Sequence, residues 1–217
     1  MEFWIERILH SNNWIQILFF LFLSIILTLK LIDPIQFSFF IKFLNFKQYI
    51  RRYSIDRDFN FFNLFYILIL VLISTSLSFL ILVCNNLFFN INLSLNEYLQ
   101  TLALITMFIA ARFFFTNFIN TTLKIFPDLK AYYFKNIIFY GYILIAAMGL
   151  VSVLYLQDLI SIIFMKLLLL ILVLIFSFHH LVIFKDYIKA NPKNFLYLFY
   201  YICAFKIAPW LWMSKIL

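Results

Sequence analysis

The stretch YLQTLALITMFIAARFFFTNFINTTL, which runs from Tyr98 to Leu123, decides the class of fold. As a helix with a rise of about 1.5 Å per residue, it is long enough to cross a hydrocarbon core about 30 Å thick. Arg112 lies past its centre, where holding a guanidinium in lipid costs from about 3 to more than about 10 kcal/mol. Arg112, Thr116 and Asn120 follow at i, i+4 and i+8, so they share a helix face. We therefore predict that this face looks into a bundle of helices.

The composition indicates that the bilayer is the solvent of this chain. Hydrophobic residues make up 66% of the sequence, charged residues make up 12%, and the mean hydropathy is +1.02. Soluble domains carry about 45–50% apolar and about 25% charged residues. The net charge of +8 is spread between apolar runs rather than gathered in one cluster. That distribution is typical of a membrane protein and argues against a nucleic-acid binder.

Six apolar runs predict six transmembrane helices, and therefore an all-α, polytopic membrane protein. The predicted spans cover, approximately, residues 14–32, 61–83, 98–123, 133–155, 159–184 and 194–212. The connections between them contain no glycine-rich or serine-rich linker. We therefore expect one domain over residues 1–217.

Two further segments, residues 1–10 and 35–52, predict short amphipathic helices in the membrane interface. The second begins after Asp33-Pro34, a capping carboxylate followed by proline at the first helical position. Its cations are too frequent for a span: Lys42, Lys47, Arg51 and Arg52. We expect this segment to lie flat on the cytoplasmic surface, facing anionic lipid headgroups.

The distribution of Lys and Arg predicts the orientation of the helices. Three alternate connections hold twelve of the seventeen Lys and Arg residues. These twelve are Lys30, Lys42, Lys47, Arg51, Arg52, Arg57, Lys124, Lys130, Lys135, Lys185, Lys189 and Lys193. The two opposite connections contain no Lys or Arg, and their only charged residues are Glu97 and Asp158. The positive-inside rule therefore predicts a bacterial inner-membrane protein with both termini on the non-cytoplasmic side.

Local patterns predict details of the turns and of the packing. Ser94 and Glu97 form a capping box before the third span, and Gln157-Asp158 predicts a tight turn before the fifth. The only two glycines, Gly141 and Gly149, lie in the fourth span, which predicts close packing of that helix against a neighbour. The second span offers small hydroxyl side chains for contacts between helices, namely Ser74, Thr75, Ser76 and Ser78.

The candidate binding residues are polar side chains within spans. Arg112, Lys166 and Lys206 are cations, while every Asp and Glu lies outside the deep part of a span. Each cation therefore reaches the interface by snorkelling or meets an anion from elsewhere. That anion is a lipid phosphate, a substrate carboxylate, or an acidic residue of a partner subunit. His180 lies fourteen residues after Lys166, close to whole helical turns, so these two share a stripe.

The pair His179-His180 raises the question of metal binding or proton transfer. Consecutive helical residues point about 100° apart, so both rings cannot easily bind one ion. No zinc-protease or nucleotide-binding motif accompanies the pair, and two glycines are too few for a phosphate-binding loop. We therefore expect no metal, no cofactor and no catalytic residue.

The run Leu198–Pro209, LFYYICAFKIAP, resembles the end of an uncharacterised family of small polytopic bacterial membrane proteins, a domain of unknown function. In that family an aromatic-aliphatic-Cys run is followed by an acidic residue, an aliphatic pair and proline. This chain has Lys206 at the acidic place. Arg112 and the tyrosine-rich start of the fourth span are also similar. The resemblance implies a helical inner-membrane protein and supplies no activity.

Three functions remain open from the sequence. The first is a non-catalytic subunit or assembly factor of a membrane complex, favoured by the short external loops and by the cations within spans. The second is a small transporter or channel for an anionic solute, lined by Arg112 and Lys166. The third is an intramembrane enzyme that acts on lipid headgroups, with His179 or His180 as general base.

Overall fold

The computed structural model describes residues 13–41, 63–91, 93–123 and 129–190, and within these ranges the chain is helical and contains no strand. The helices are α1 (Asn13–Ile32), α2 (Pro34–Ile41), α3 (Leu64–Phe89), α4 (Leu95–Leu123), α5 (Leu129–Leu156) and α6 (Ile162–Ala190). Short connections make α4 antiparallel to α3 and α6 antiparallel to α5. The predicted all-α class is confirmed.

Five of these helices, all except α2, are long and apolar enough to cross a membrane. They correspond to the first five predicted spans. The predicted span 194–212, the interfacial helix 1–10 and residues 42–52 lie outside the described residues. The bounds of the described helices differ from the predicted spans at several ends. Two of these differences have a visible local cause: α3 continues to Phe89, and α6 begins only at Ile162. In both cases a cap decides the boundary: left-handed Asn90 ends α3, and the Ser161 hydroxyl accepts a hydrogen bond from the Phe164 backbone N–H.

The predicted helix signals have the expected geometry. The Asp33 carboxylate accepts a hydrogen bond from the Gln36 backbone N–H at 2.8 Å, so it caps α2. The Ser94 hydroxyl accepts from the Glu97 N–H at 3.2 Å, which is the serine half of the capping box. Asp158 ends the turn after α5 in the left-handed conformation, with φ of 55°. Its neighbour Leu159 donates back to the Leu154 carbonyl at 3.0 Å, which stops the helix and reverses the chain.

Helix α3 is the centre of the bundle. It packs against α1, α4, α5 and α6, and 61% of its most apolar stretch is buried within the chain. Edge-to-face ring pairs join Tyr66 to Phe134 and Phe79 to Tyr155, so α3 and α5 run parallel. Such pairs contribute about 0.5–1.5 kcal/mol beyond the area they bury. The hydrophobic core therefore lies along the α3–α5 seam.

Helix α2 packs into the bundle rather than lying flat on it. Gln36 and Phe40 are buried, and the Gln36 side-chain amide donates to the Tyr66 hydroxyl of α3 at 2.9 Å. The Phe40 ring stacks on Tyr142 of α5 with 4.5 Å between centroids, and the Tyr142 hydroxyl donates to the Phe39 carbonyl. The prediction of a flat surface helix is therefore corrected for residues 34–41: this part is a wedge between α3 and α5.

The two glycines of α5 differ in their surroundings. A Cβ on Gly141 would lie 2.9 Å from Ile69 Cγ2 and 3.5 Å from the Phe40 ring, so the predicted close packing is confirmed there. A Cβ on Gly149 would meet no atom of the described residues within 4 Å, so among these residues the predicted close packing is not found at that position. The hydroxyls of α3 also differ from expectation. Those with an assigned hydrogen bond donate to carbonyls of α3 itself: Ser74, Thr75 and Ser78.

Candidate functional site

The polar face of α4 is turned into the bundle, as the sequence predicts. Thr116 is 1% exposed, and its hydroxyl donates to the Arg112 carbonyl at 2.8 Å. Arg112 and Asn120, one turn to either side, are partly buried. Towards the other end of α4, Thr101 and Ile105 continue the same buried stripe. The guanidinium of Arg112 therefore starts from the inward side of its helix, away from the lipid-facing side.

The opposite face of α4 is apolar and open. Its large side chains are among the most exposed in the described part of the chain, with Met107 at 73%, Phe114 at 67% and Phe118 at 62%. Only 12% of the most apolar stretch of α4 is buried within the chain. Helix α4 is therefore a peripheral helix that presents one polar face inwards and one aromatic face outwards.

A hydrogen bond and a ring contact join α4 to α5 next to Arg112. The Tyr133 hydroxyl donates to the carbonyl of Phe113 at 3.1 Å, and the two rings lie 4.8 Å apart. Helix α5 carries further polar groups along this part of its length. Tyr132, Asn136 and Tyr140 repeat the i, i+4, i+8 spacing that Arg112 begins on α4.

The histidines of α6 make two different contacts with α5. His180 Nε2 lies 2.7 Å from the Tyr140 hydroxyl, and which group donates depends on the tautomer of the ring. His179 is buried, and its ring stacks flat on Phe139 at 3.6 Å with an angle of 2°. The structure therefore places both histidines at the α5–α6 interface, in contact with aromatic rings.

Asn136 is a buried polar residue that the sequence analysis missed. Its side chain is 6% exposed, and its Nδ2 donates to the Tyr132 carbonyl at 2.9 Å. Its Oδ1 is buried and accepts no hydrogen bond from the described part of the chain. The signal was present in the i, i+4, i+8 repeat of Tyr132, Asn136 and Tyr140. An uncharged amide in an apolar helix is a weaker signal than a charge, because a charge costs far more to hold in lipid.

The structure brings two of the predicted groups towards one side of α5. Tyr133, which contacts α4, and Tyr140, which contacts α6, lie seven residues apart. Seven residues are close to two turns, or about 10.5 Å along the axis, so both tyrosines project from the same side. The polar face around Arg112 and the ring of His180 therefore approach this side from neighbouring helices. We call this region, in the half of the bundle next to α2, the polar core: Arg112, Thr116, Asn120, Tyr132, Tyr133, Asn136, Tyr140, His179 and His180.

Lys166 lies apart from the polar core. It is exposed in the second turn of α6, fourteen residues or about 21 Å from His180. The exposed position agrees with a snorkelling lysine and does not bring Lys166 to Arg112. Lys206, the sixth candidate, lies outside the described residues.

The fold and the polar core define a helical protein with several membrane-spanning segments and a polar interior at one end. The chain belongs to the family described as domain of unknown function DUF4271, whose model matches residues 15–217. This agrees with the resemblance found at the C-terminal run. No curated protein and no solved structure matches the chain.

Proposed function

We propose that this protein is a non-catalytic subunit or assembly factor of a membrane complex. The observation that carries the proposal is the use made of the polar side chains inside the bundle. The Thr116 hydroxyl donates to a carbonyl of its own helix, Tyr133 ties α5 to α4, and Tyr140 ties α5 to α6. The two tyrosine contacts hold neighbouring helices together, which is what a scaffold requires.

The outward face of α4 is the surface proposed to receive the partner. Helix α4 is the least covered of the five long helices, since 12% of its most apolar stretch is buried against 61% for α3. Its exposed Met107, Phe114 and Phe118 form a ridge about three turns long. In lipid the association of helices depends on close packing, and a ridge of large rings offers area for it. The proposed occupant is an apolar transmembrane helix of another membrane protein.

Site-specific photocrosslinking in cells tests this proposal. A photoreactive residue at Phe114 or Phe118 is expected to give one adduct of defined mass, identified by mass spectrometry as a single membrane protein. The matched control is Leu170, which is 58% exposed on α6. If the α4 positions give only the diffuse adducts that Leu170 gives, and the chain runs alone on native gels, the proposed role is wrong.

A second function, transport of an anionic solute, is supported by one observation. Arg112 lies, partly buried, on the inward face of α4 one turn from buried Thr116, so a cation faces the interior of the bundle. An inward cation is what a path for anions needs. Anion flux in proteoliposomes would then fall at least tenfold in Arg112→Gln and stay unchanged in Lys166→Gln. If the anion flux of Arg112→Gln equals that of the unmodified protein, transport through this path is wrong.

The lipid-enzyme hypothesis receives no comparable support. It needs a histidine nitrogen that meets a substrate, whereas His180 Nε2 bonds to the Tyr140 hydroxyl. His179 is 7% exposed, and one face of its ring stacks on Phe139.

The proposed location is the inner membrane of a bacterium, with both termini on the non-cytoplasmic side. What supports it is the charge pattern: in the sequence, the basic connections follow the C-terminal ends of α1, α4 and α6. We propose that these connections contact anionic lipid headgroups. With the protein reconstituted in a bilayer of neutral and anionic lipids, the enrichment of anionic lipid around it should then fall as salt rises, because salt screens such contacts.

A further inference from the structure

The most covered and the least covered of the long helices have the reverse of the expected composition. Among the five long helices of the described part of the chain, α3 is the most apolar and the most covered, whereas α4 is the least apolar and the least covered. Hydrocarbon offers no hydrogen bond to a polar side chain, so a helix that faces lipid is expected to be the most apolar. Part of the polarity of α4 is turned inwards around Arg112. The rest is exposed, and it consists of Gln100, Thr106, Asn117, Thr121 and Thr122.

The exposed hydroxyls of α4 are satisfied by their own helix. Thr106 donates to the carbonyl of Leu102 at 2.9 Å. Thr121 and Thr122 donate to the carbonyl of Phe118 at 2.7 and 3.0 Å. A hydroxyl that is bonded in this way has used its one proton and needs no donor or acceptor from a neighbouring molecule. The exposed threonines are therefore compatible with a lipid surrounding.

The exposed amide of Asn117 is different, because it makes no hydrogen bond to any residue that the structure describes. Asn117 lies about 10 Å from the midpoint of the predicted span 98–123, and the hydrocarbon core extends about 15 Å to either side of its centre. Its side chain is much shorter than the Lys and Arg side chains that snorkel to the headgroups. Gln100, the other exposed amide of this span, lies in the second turn of α4 and so closer to the headgroups.

A contact with α5 explains why the Asn117 amide does not bond to its own helix. The Nδ2 of Asn136 donates to the carbonyl four residues earlier, that of Tyr132, at 2.9 Å. The corresponding carbonyl for Asn117 is that of Phe113. This carbonyl accepts the helical N–H of Asn117 and also the Tyr133 hydroxyl at 3.1 Å, so both of its lone pairs are engaged. The bond that joins α5 to α4 therefore leaves the Asn117 amide directed to the outside of the bundle.

We propose that Asn117 is the residue by which α4 recognises its partner, through hydrogen bonds between its amide and an Asn or Gln side chain on the partner's transmembrane helix. The inference rests on the proposed function, which places that helix on the ridge of Met107, Phe114 and Phe118. Asn117 flanks the ridge, one residue before Phe118 and three after Phe114. An amide both donates and accepts, so a second amide matches both of its groups. The rings supply contact area, and Asn117 selects a helix with an amide at the matching depth.

The test is photocrosslinking in cells with the photoreactive residue at Phe114, and the yield of the defined adduct is measured relative to the amount of the chain in the membrane. Asn117→Leu is expected to lower this yield by about threefold to twentyfold, the range that one hydrogen bond between membrane helices supplies. Leucine adds apolar area to this face, so lost packing area cannot cause the fall. Asn117→Gln, which keeps the amide, should retain most of the yield. The crosslinked partner peptide, sequenced by mass spectrometry, is expected to contain Asn or Gln.

The matched control is Thr106→Val, which should leave the yield unchanged because the Thr106 hydroxyl is bonded to its own helix. Thr106 is exposed eleven residues before Asn117, so the two lie within about 20° of each other around α4. Equal yields in Asn117→Leu and the unmodified chain overturn the inference and leave the proposed function standing. A fall that Thr106→Val shares, or an adduct with a second copy of this chain, also overturns the inference. If the unmodified chain gives no defined adduct, the inference and the proposed function are both wrong.

Discussion

The Gln36 side-chain amide donates a hydrogen bond to the Tyr66 hydroxyl over 2.9 Å, with Gln36 only 2% exposed and Tyr66 5% exposed. Thirty residues separate the two in sequence. The bond holds α2, which has only eight residues, against the central helix α3. A helix of this length does not persist on its own, so its position depends on such contacts.

Substituting only one partner of this hydrogen bond should lower the free energy of unfolding more than substituting both partners together. We expect Gln36→Leu or Tyr66→Phe alone to lower the free energy of unfolding by about 1–3 kcal/mol, because each leaves a buried polar group without its partner. The double variant should lose less than the sum of the two. Unfolding in mixed detergent, followed by circular dichroism, measures this. Ser38→Ala on the exposed side of α2 is the control and should change little; fully additive losses would contradict the prediction.

Substitution of the two glycines should give opposite signs. Gly141→Ala places a Cβ 2.9 Å from Ile69 Cγ2 and should destabilise the protein by about 1–3 kcal/mol through overpacking. The Cβ of Gly149→Ala meets no atom of the described part of the chain within 4 Å and should stabilise the protein by up to about 1 kcal/mol, because alanine favours the helix. The melting temperatures of the two variants, each compared with that of the unmodified protein, test these opposite signs. Ile69→Ala should partly rescue Gly141→Ala; two glycine variants that melt alike would refute the close packing of Gly141 against Ile69 and Phe40.

The turn between α5 and α6 should tolerate glycine at one position only. Asp158 has φ of 55°, a conformation that glycine adopts at no steric cost and that a β-branched residue resists. Asp158→Gly should be neutral or stabilising by up to about 1 kcal/mol, and Asp158→Val should cost about 1–2 kcal/mol. Gln157→Gly, one residue earlier, should destabilise. Unfolding curves test all three, and a stabilising Asp158→Val would show that the turn has another geometry.

The orientation predicted from the charges is open to a direct measurement. A C-terminal alkaline phosphatase fusion should be active and a C-terminal green fluorescent protein fusion dark, because the carboxyl end is expected outside the cytoplasm. A fusion after Lys124 should give the reverse pattern. A bright fluorescent protein at the C-terminus would invert the predicted topology, or remove the sixth span.

The helices and the residues that cap them could be predicted from local signals in the sequence. Asp33 and Ser94 cap helices, and Asp158 turns the chain, because each acts within a few residues of itself. The inward face of α4 could also be predicted, since burying Arg112 in lipid is costly whatever the neighbours are. These predictions require only two facts: that lipid is the solvent, and that residues about 3.6 positions apart share a face of a helix.

The contacts between distant segments could not be predicted in this way. The wedge of α2 depends on Tyr66 and Tyr142, and the Tyr142–Phe39 bond joins residues 103 positions apart. Composition treats every phenylalanine of α2 alike and cannot tell which ring stacks on α5. The burial of Asn136 likewise depends on what covers α5, and the difference between Gly141 and Gly149 depends on which side of α5 meets α3.

The central place of α3 bears on how the chain is assembled. Helix α3 leaves the ribosome before α4, α5 and α6, the helices that cover most of it. Phe134, the aromatic partner of Tyr66, is synthesised nearly seventy residues later. A nascent chain that stops after α4 therefore lacks the helix α5 that packs against α3, its most apolar helix. In this state, insertion factors and quality-control proteases compete for the chain.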